Sequence, residues 1–438
     1  MVYSNILESL ILPTGDVLLG TSFIQQLKKC RNHDSLSETE LNQLQHFKLN
    51  EMLNYVLKNS PYYRDLGIKY YEDDPVSTLK QFPILTKSKI KEHSNEILTT
   101  SSKKLIKLMS SGSSGIQGEV FLSKREISVT RAQQTRWWEW AGYKLGDKLL
   151  QTGMSEKRTW VKRIKDLLLK TTYVHAFALS EQEIFNILNQ ASNKSIRHFY
   201  GYASSLYVFS EVAHKNNIEV SFDSIVSWGD KMFQHYRKNI STAFKSEVLE
   251  TYGCSEGFMI AAQYDLPYLY IMTPWVFLEL LDNDGNEVKD GEIGNVVVTS
   301  LFAKSFPLIR YKLGDLAIRL AKEKYPKSRR LNYPLLEKVI GRDTDIVRTK
   351  SGKSMIVHSF TGIFEYYPEI KQFQVVQNRL DEITIYIIPE GSALPNSIHE
   401  IKKKIQKNIG DTIKITFRKT NEIPPSPSGK PQIIKSTI

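Results

Sequence analysis

The sequence predicts an α/β protein in three parts. A large N-terminal region carries mostly parallel sheets flanked by helices, an antiparallel barrel-like subdomain follows, and a small α+β domain ends the chain. Between about residues 148 and 230, short apolar strands alternate with amphipathic helices, the pattern of a parallel sheet with helices on its faces. After Cys254 strands follow one another directly, broken at Asp284-Gly285 and Asp290-Gly291, dipeptides that favour hairpin turns. The terminal stretch holds "FQVVQNRLDEITIYIIPEG", a hairpin pattern, and the Lys-rich helical run "SIHEIKKKIQKNIG". At 438 residues the chain exceeds what one hydrophobic core supports. The expected division is 1–341 and 342–438, with the barrel-like subdomain at about 268–325 and a turn at Gly341-Arg342.

Taken in order, Ser37 to Asn59 shows apolar residues at helical spacing, opened by a capping-box pattern of Ser37 and Glu40 and stopped before Pro61. Thr86 caps a short helix within "FPILTKSKIKEHSNEI". "KREISVTRAQQTRWWEWAGYKLGD" is a helix ending at Gly142. Strands "DKLLQTGM", "TYVHAFAL", "RHFYGYA" and "DSIVSWGD" then alternate with a helix from Ser180 and another reaching about Asn217. In "SEKRTWVKRIKDLLLK", Trp160, Val161, Ile164, Leu167 and Leu168 share a helical face, with Lys157, Arg158, Lys162, Arg163 and Lys165 around them. Such a helix either rests on an anionic membrane as a peripheral contact or packs on its own core with a solvated basic face.

Lys and Arg outnumber Asp and Glu by 59 to 47, and the formal charge of +12 favours anionic partners. No helix-turn-helix or interleaved basic–aromatic pattern accompanies that charge, so nucleic acid is not expected as a partner. Cys30 and Cys254 form no CxxC motif, and none of the nine histidines stands at ligand spacing, which argues against structural zinc. No apolar run approaches the ~20 residues of a spanning helix. The N-terminus lacks a basic n-region and carries Glu8 within its apolar part, so a cytoplasmic location is expected. The oligomeric state is not legible here.

Five short segments carry chemistry. "LMSSGSSGIQGEV" (Leu108–Val120) is a slack connection or a loop whose amides and hydroxyls wrap phosphate. It is not a Walker A loop, because no Lys-Ser/Thr follows at the required spacing. "LETYGCSEG" runs a strand into a Gly-bracketed loop, where Tyr252 can stack on a base, Ser255 can donate to phosphate and Glu256 can hold Mg²⁺; the plain alternative is a turn with a solvated Glu. Cys254 has no His near it in sequence and reads as a spacer. In "RYKLGDLA", Asp315 can accept both ribose hydroxyls or simply close a Gly-Asp turn. "IGRDTDIVRTKSGK" sets Arg342 at a hinge or a surface turn, and "PPSPSGKPQ" holds Lys430 near the chain end.

In this order and spacing, the Ser/Gly loop, "YGCSE", "LGD", "GRDTD" and terminal "SGK" together resemble the adenylate-forming superfamily of acyl-CoA synthetases, adenylation domains and luciferases. "NSPYYRDLGI", "FPILTKSKIKE" and the short C-terminal domain look most like its phenylacetate–CoA ligase branch, especially CapK-like proteins of polysaccharide gene clusters. Two departures stand out: Gln117 and Gly118 follow the Ser/Gly loop, where the family usually has Pro, and Thr344 precedes Asp345, where two acids are common.

The resemblance implies attack of a carboxylate on ATP, giving an acyl-adenylate and pyrophosphate, then transfer to CoA. The alternative acceptor is an amine or hydroxyl in capsule or O-antigen polysaccharide biosynthesis, and the alternative of another class is a nucleotide-binding scaffold without chemistry. By resemblance, Ser111, Gly112, Ser113, Ser114 and Gly115 wrap the β- and γ-phosphates. Ser255 and Glu256 hold the α-phosphate and Mg²⁺. Tyr252 and Gly253 lie along adenine with Gly229 and Asp230 at its edge. Asp315 and Arg342 hold the ribose. The C-terminal domain is expected to be mobile, pivoting at Asp343, Thr344 and Asp345, so that Lys430 closes on the reacting groups as the catalytic cation. For the acid, Trp228 and Phe258 adjoin matched motifs, and Trp138, with Trp137, Trp140 and Tyr143, forms either an aromatic pocket or core.

Overall fold

The computed structural model describes residues 2–109, 119–153, 158–176, 179–342, 346–350, 354–356, 360, 363–364, 366–367, 369–389, 397–409, 413–424 and 432–438. Three of its helices open on reciprocal capping boxes, Ser37 with Glu40, Ser123 with Glu126, and Ser180 with Glu183. Each box satisfies amides that a helix start would otherwise leave unpaired.

The strands Leu149–Gly153, Thr171–His175, His198–Tyr202, Ser224–Trp228 and Val248–Gly253 form the parallel part, in spatial order 171, 149, 198, 224, 248. Adjacent residues of these strands enter different cores. Leu150, Phe199, Ile225 and Val248 join one helix-covered cluster, and Leu149, Tyr200 and Val226 join the other. Side chains alternate across a strand, so a sheet covered on both faces reads as a continuous apolar run.

At Val248–Gly253 the pairing turns antiparallel. Met259–Ala262, Leu269–Ile271, Leu335–Arg342, Tyr311–Arg319, Ile293–Ser300 and Val276–Leu281 follow in that order. The strands grouped in sequence as a barrel-like subdomain thus extend the same hydrogen-bonded series. Gly341 and Arg342 lie within a strand, where the sequence suggests a turn. Pairing of Leu316 with Gly341 and Asp315 with Arg342 holds them there.

Toward the C-terminus, Lys414–Lys419, Glu382–Pro389, Ile370–Arg379 and Ile434–Ser436 form a separate four-stranded sheet. The Ile398–Ile409 helix places Ile401, Ile405 and Ile409 against Val375, Ile383, Ile385 and Ile387. Phe233, from the large region, is buried in this same cluster.

The Trp160–Leu168 helix buries none of its residues. Of its apolar face, Trp160, Val161, Ile164 and Leu167 are exposed and Leu168 is half-buried, so most of that face does not pack on the protein's own core. No helix among the described residues is long and apolar enough to cross a membrane.

Candidate functional site

Beyond Gly253 the chain makes a tight loop. The Cys254 amide donates to the Phe258 carbonyl at 3.0 Å, and the Gly257 amide donates to the Cys254 carbonyl at 3.1 Å. Gly257 has φ +97, and a Cβ there would lie 2.8 Å from Leu122. Only glycine meets both conditions without strain. Leu122 belongs to the strand Glu119–Leu122, which pairs antiparallel with Ile106–Met109. These two strands flank the Ser/Gly segment. Thr130, on the Lys124–Trp140 helix, donates to the Gly257 carbonyl at 3.0 Å and pins the loop from a third side.

This loop holds Glu256 almost buried, 6% exposed. One carboxylate oxygen accepts from the Tyr311 hydroxyl at 2.8 Å and the other from the Ser255 hydroxyl at 3.3 Å. Four residues earlier the Tyr252 hydroxyl donates to Asp315 at 2.8 Å. The two segments are therefore tied twice, each giving a tyrosine to the other's carboxylate.

A β-bulge positions Asp315. Asn295 pairs with Leu316 and Val297 with Lys312, so Leu313, Gly314 and Asp315 together oppose Val296. Bulges of this kind re-aim side chains, and Gly314 supplies the positive φ, +79. Tyr311 is the functional neighbour that sequence reasoning missed; its position four residues before Asp315, matching the 252–256 spacing, was the available signal.

Gly229 and Asp230 follow the carboxyl end of Ser224–Trp228, Gly229 packed closely on Tyr202 and the Asp230 carboxylate turned onto a neighbouring helix. Gly229 has φ +81, and a Cβ would meet Tyr202 at 2.3 Å. The Asp230 carboxylate accepts from the Ala203 amide at 2.6 Å and the Ser204 amide at 3.1 Å, capping the Ala203–Lys215 helix. Trp228 stacks on Trp138 at 6.3 Å between centroids and meets Tyr202 edge-on at 6.4 Å, and both tryptophans are half-buried against the core cluster that holds Trp137 and Trp140. Phe258 is buried in one core cluster, and Trp137 and Trp140 in another.

Burial, followed by the adjacent Glu256 charge, pushes the Cys254 thiol well above the usual thiol range. A thiolate nucleophile is disfavoured there. Ser111, Gly112, Ser113, Ser114, Gly115, Asp343, Thr344, Asp345 and Lys430 lie outside the described residues, as does the Arg342 side chain.

Residues 346–437 match the family model of the CapK C-terminal domain. Protein CapK of Staphylococcus aureus is 24% identical over 429 residues, covering 95% of this chain and 92% of CapK. Phenylacetate-coenzyme A ligase of Thermus thermophilus is 22% identical over 442 residues, covering 91% and 96%. The chain is thus similar along nearly its whole length to CapK and to a phenylacetate-coenzyme A ligase.

Among solved structures, 2-hydroxyisobutyryl-CoA ligase in the postadenylation state shares the fold with a TM-score of 0.75 at 16% identity, covering 93% of this chain and 91% of its own. The residues matched to the CapK C-terminal domain begin four positions after Arg342. The backbone there is held by Asp315 pairing on one side and by Lys231 on the other, whose ammonium donates to the Ile340 carbonyl at 2.6 Å.

Proposed function

We propose that the chain activates a carboxylic acid with ATP and passes the acyl group to coenzyme A. The observation that carries this reading is the reciprocal tie of Tyr252 to Asp315 and Tyr311 to Glu256, both at 2.8 Å, beyond the carboxyl end of Val248–Gly253. In open α/β sheets, ligands bind outside the carboxyl ends of the parallel strands. Support comes from the relatives, and from 2-hydroxyisobutyryl-CoA ligase, solved with R3-HIB-AMP and also with 2-HIB-AMP and CoA in the thioesterification state.

In the first step a carboxylate oxygen attacks the α-phosphorus, the bond to pyrophosphate breaks, and its electron pair leaves on pyrophosphate. Both reactants are anions, so the protein's work is charge neutralisation and in-line positioning. Asp315, oriented by Tyr252, accepts the ribose hydroxyls, with Arg342 assisting. The Tyr252 ring and Gly253 line the adenine site, and Gly229 brings backbone to its edge while the Asp230 carboxylate stays committed to its helix. Ser255 faces the α-phosphate, and Ser111 to Gly115 surround the β- and γ-phosphates. Lys430 bridges the carboxylate and α-phosphate as charge builds, a task suited to a compact ammonium. In the second step the thiolate attacks the acyl carbon and AMP leaves.

Mg²⁺ fits this site by donor chemistry. Glu256 offers a buried hard-oxygen ligand whose neighbours are hydroxyls. Among the described residues no group of three or more His, Cys, Asp or Glu is placed to hold a metal. One carboxylate with phosphate oxygens and water completing the shell is the usual way Mg²⁺ is bound with nucleotides. When bound, the ion neutralises phosphate charge.

The rival acceptor, an amine or hydroxyl in capsule or O-antigen assembly, draws on the match to the CapK C-terminal domain. AMP release that requires CoA thiol separates the two.

The test is pyrophosphate release from MgATP with hydroxylamine as trap, across aryl, aliphatic, hydroxy and amino acids, with Lys430→Ala beside the parent. A carboxylate-dependent signal that disappears in the variant, while transfer from preformed acyl-adenylate is largely kept, is expected. ATP binding without pyrophosphate release for any acid would replace the enzyme with a nucleotide-binding scaffold. Equal loss in both half-reactions would remove Lys430 from the adenylation step.

A further inference from the structure

The Trp160–Leu168 helix turns Asp166 and Leu168 toward the protein and leaves most of its apolar side out. Asp166 is held by Arg158, whose Nε lies 2.8 Å from its carboxylate and whose guanidinium stacks at 3.9 Å over Tyr173. At 3.6 residues per turn, Trp160, Val161, Ile164 and Leu167 occupy the opposite arc. Trp160 is 73% exposed and Leu167 77%, values that a helix in water normally reserves for charged residues.

A second element lies beside it. Val2–Ile6, Leu7–Ile11 and Leu12–Leu19 are contiguous helical segments. They dock through the Tyr3 hydroxyl, which donates to the Leu168 carbonyl at 2.7 Å, and through Lys170, 4.1 Å over the Tyr3 ring. Leu7 anchors the segment in the interior, while Val2, Leu10, Val17 and Leu18 are exposed. Two helices distant in sequence, joined at Tyr3 and Leu168, thus each expose apolar residues.

Charge selects the occupant. The acids of these elements are committed inward: Asp166 to Arg158, Glu8 to Arg31, and Asp16 to the Phe23 and Ile24 amides at 2.9 Å each. Arg163 remains exposed beside the apolar arc, and Lys162 remains exposed farther round the helix. Two copies joined through this face would bring cations together with no acid between them. An anionic bilayer surface meets both requirements, accepting Trp and Leu side chains at the headgroup boundary and pairing with the cations.

We infer that the Trp160–Leu168 helix and the N-terminal helix together form a docking face for an anionic membrane surface, holding the protein on the bilayer without spanning it.

The experiment is flotation of the full chain with vesicles of phosphatidylcholine alone or phosphatidylcholine mixed with phosphatidylglycerol. Trp160 emission is read in parallel, with Trp160→Phe identifying its contribution. Binding to the anionic vesicles and a blue shift of that emission are expected. Lys162→Glu with Arg163→Glu weakens binding about thirty-fold or more, at roughly a factor of five per surface cation. Ile164→Ser with Leu167→Ser, and separately Leu10→Ser with Leu18→Ser, weaken it while leaving the thermal midpoint unchanged, because all four side chains are exposed. Equal binding to neutral vesicles, no binding, or full binding by the variants would overturn the inference. So would a parent dimer in sedimentation that Ile164→Ser with Leu167→Ser dissociates, since the face would then belong to a second copy.

Discussion

The two ends of the parallel strands carry similar chemistry and opposite fates. At the amino end, His198 Nδ1 lies 2.8 Å from the Ser224 hydroxyl, which lies 2.8 Å from the Tyr200 hydroxyl, and His198 Nε2 is 3.4 Å from Asp147. By residue type this is a nucleophile, base and acid in sequence. Yet His198 is 1% exposed, with Tyr143 and Tyr200 packed around it. Beyond the carboxyl end, Glu256 and Asp315 are each oriented by one tyrosine and stand beside the segments that resemble phosphate and ribose binders. Residue type does not separate these clusters; their place on the sheet does. Amino ends of parallel strands are closed by packing, whereas carboxyl ends open into the crevice.

The largest expected effect is at the carboxyl end. Glu256→Gln and Asp315→Ala lower carboxylate-dependent pyrophosphate release by about 100-fold or more, while the thermal midpoint moves by a few degrees. A fall in midpoint that accounts for the lost rate would make both ends structural and break the comparison.

Acid sensitivity comes next. Burial holds His198 below the ordinary histidine value and brings His33 from 6.5 down to about 4. Such groups contribute stability that is fully present above 6.5, because the folded state keeps the neutral ring. As pH falls from 6.5 toward 4 the unfolded chain takes up protons that the folded one refuses, and His33 alone costs up to about 3 kcal/mol. Denaturant titrations at a series of pH values should show that slope and its flattening in His33→Gln; a flat parent profile counts against it.

Ser224→Ala removes the shared partner of His198 and Tyr200 and should cost about 1–3 kcal/mol in urea unfolding. The adenylation rate of the folded protein should stay unchanged. A rate loss without a stability loss would move chemistry to the amino end. Smallest is Cys254→Ala, for which we expect rates within about twofold of the parent, since thiolate, not thiol, is the reactive form. A large loss there would give the thiol a role that its burial argues against.

Much of this was legible along the chain. The capping box of Ser37 and Glu40 is a local pattern and reappears as read, and the structure adds two more of the same kind at Ser123 and Ser180. The segment 252–257 was visible as a Gly-bracketed acid and 313–315 as an acid after a Gly, and the structure brings Tyr252 and Asp315 together. Tyr311 was missed because a tyrosine inside a strand is unremarkable until its partner is known. Gly229 and Asp230 were read as lying at the edge of adenine, and the structure adds that the Asp230 carboxylate accepts from amides of a helix that begins 27 residues earlier. That bond has no trace in spacing.

The pair of tryptophan-bearing helices draws the line most clearly. In sequence, Lys124–Trp140 and Trp160–Leu168 both show aromatic and basic residues at helical period, and the period correctly marks both as helices with an apolar face. It says nothing of where that face turns. In the first, Trp137 and Trp140 are buried; in the second, Trp160 and Leu167 stand in the open. The sheet's alternation, the caps and the carboxylate-bearing loops follow from contacts within a few residues, which composition and spacing encode. Which end of the sheet holds a working site, and which helix face stays uncovered, depend on partners tens to hundreds of residues away, and only assembly of the fold chooses them.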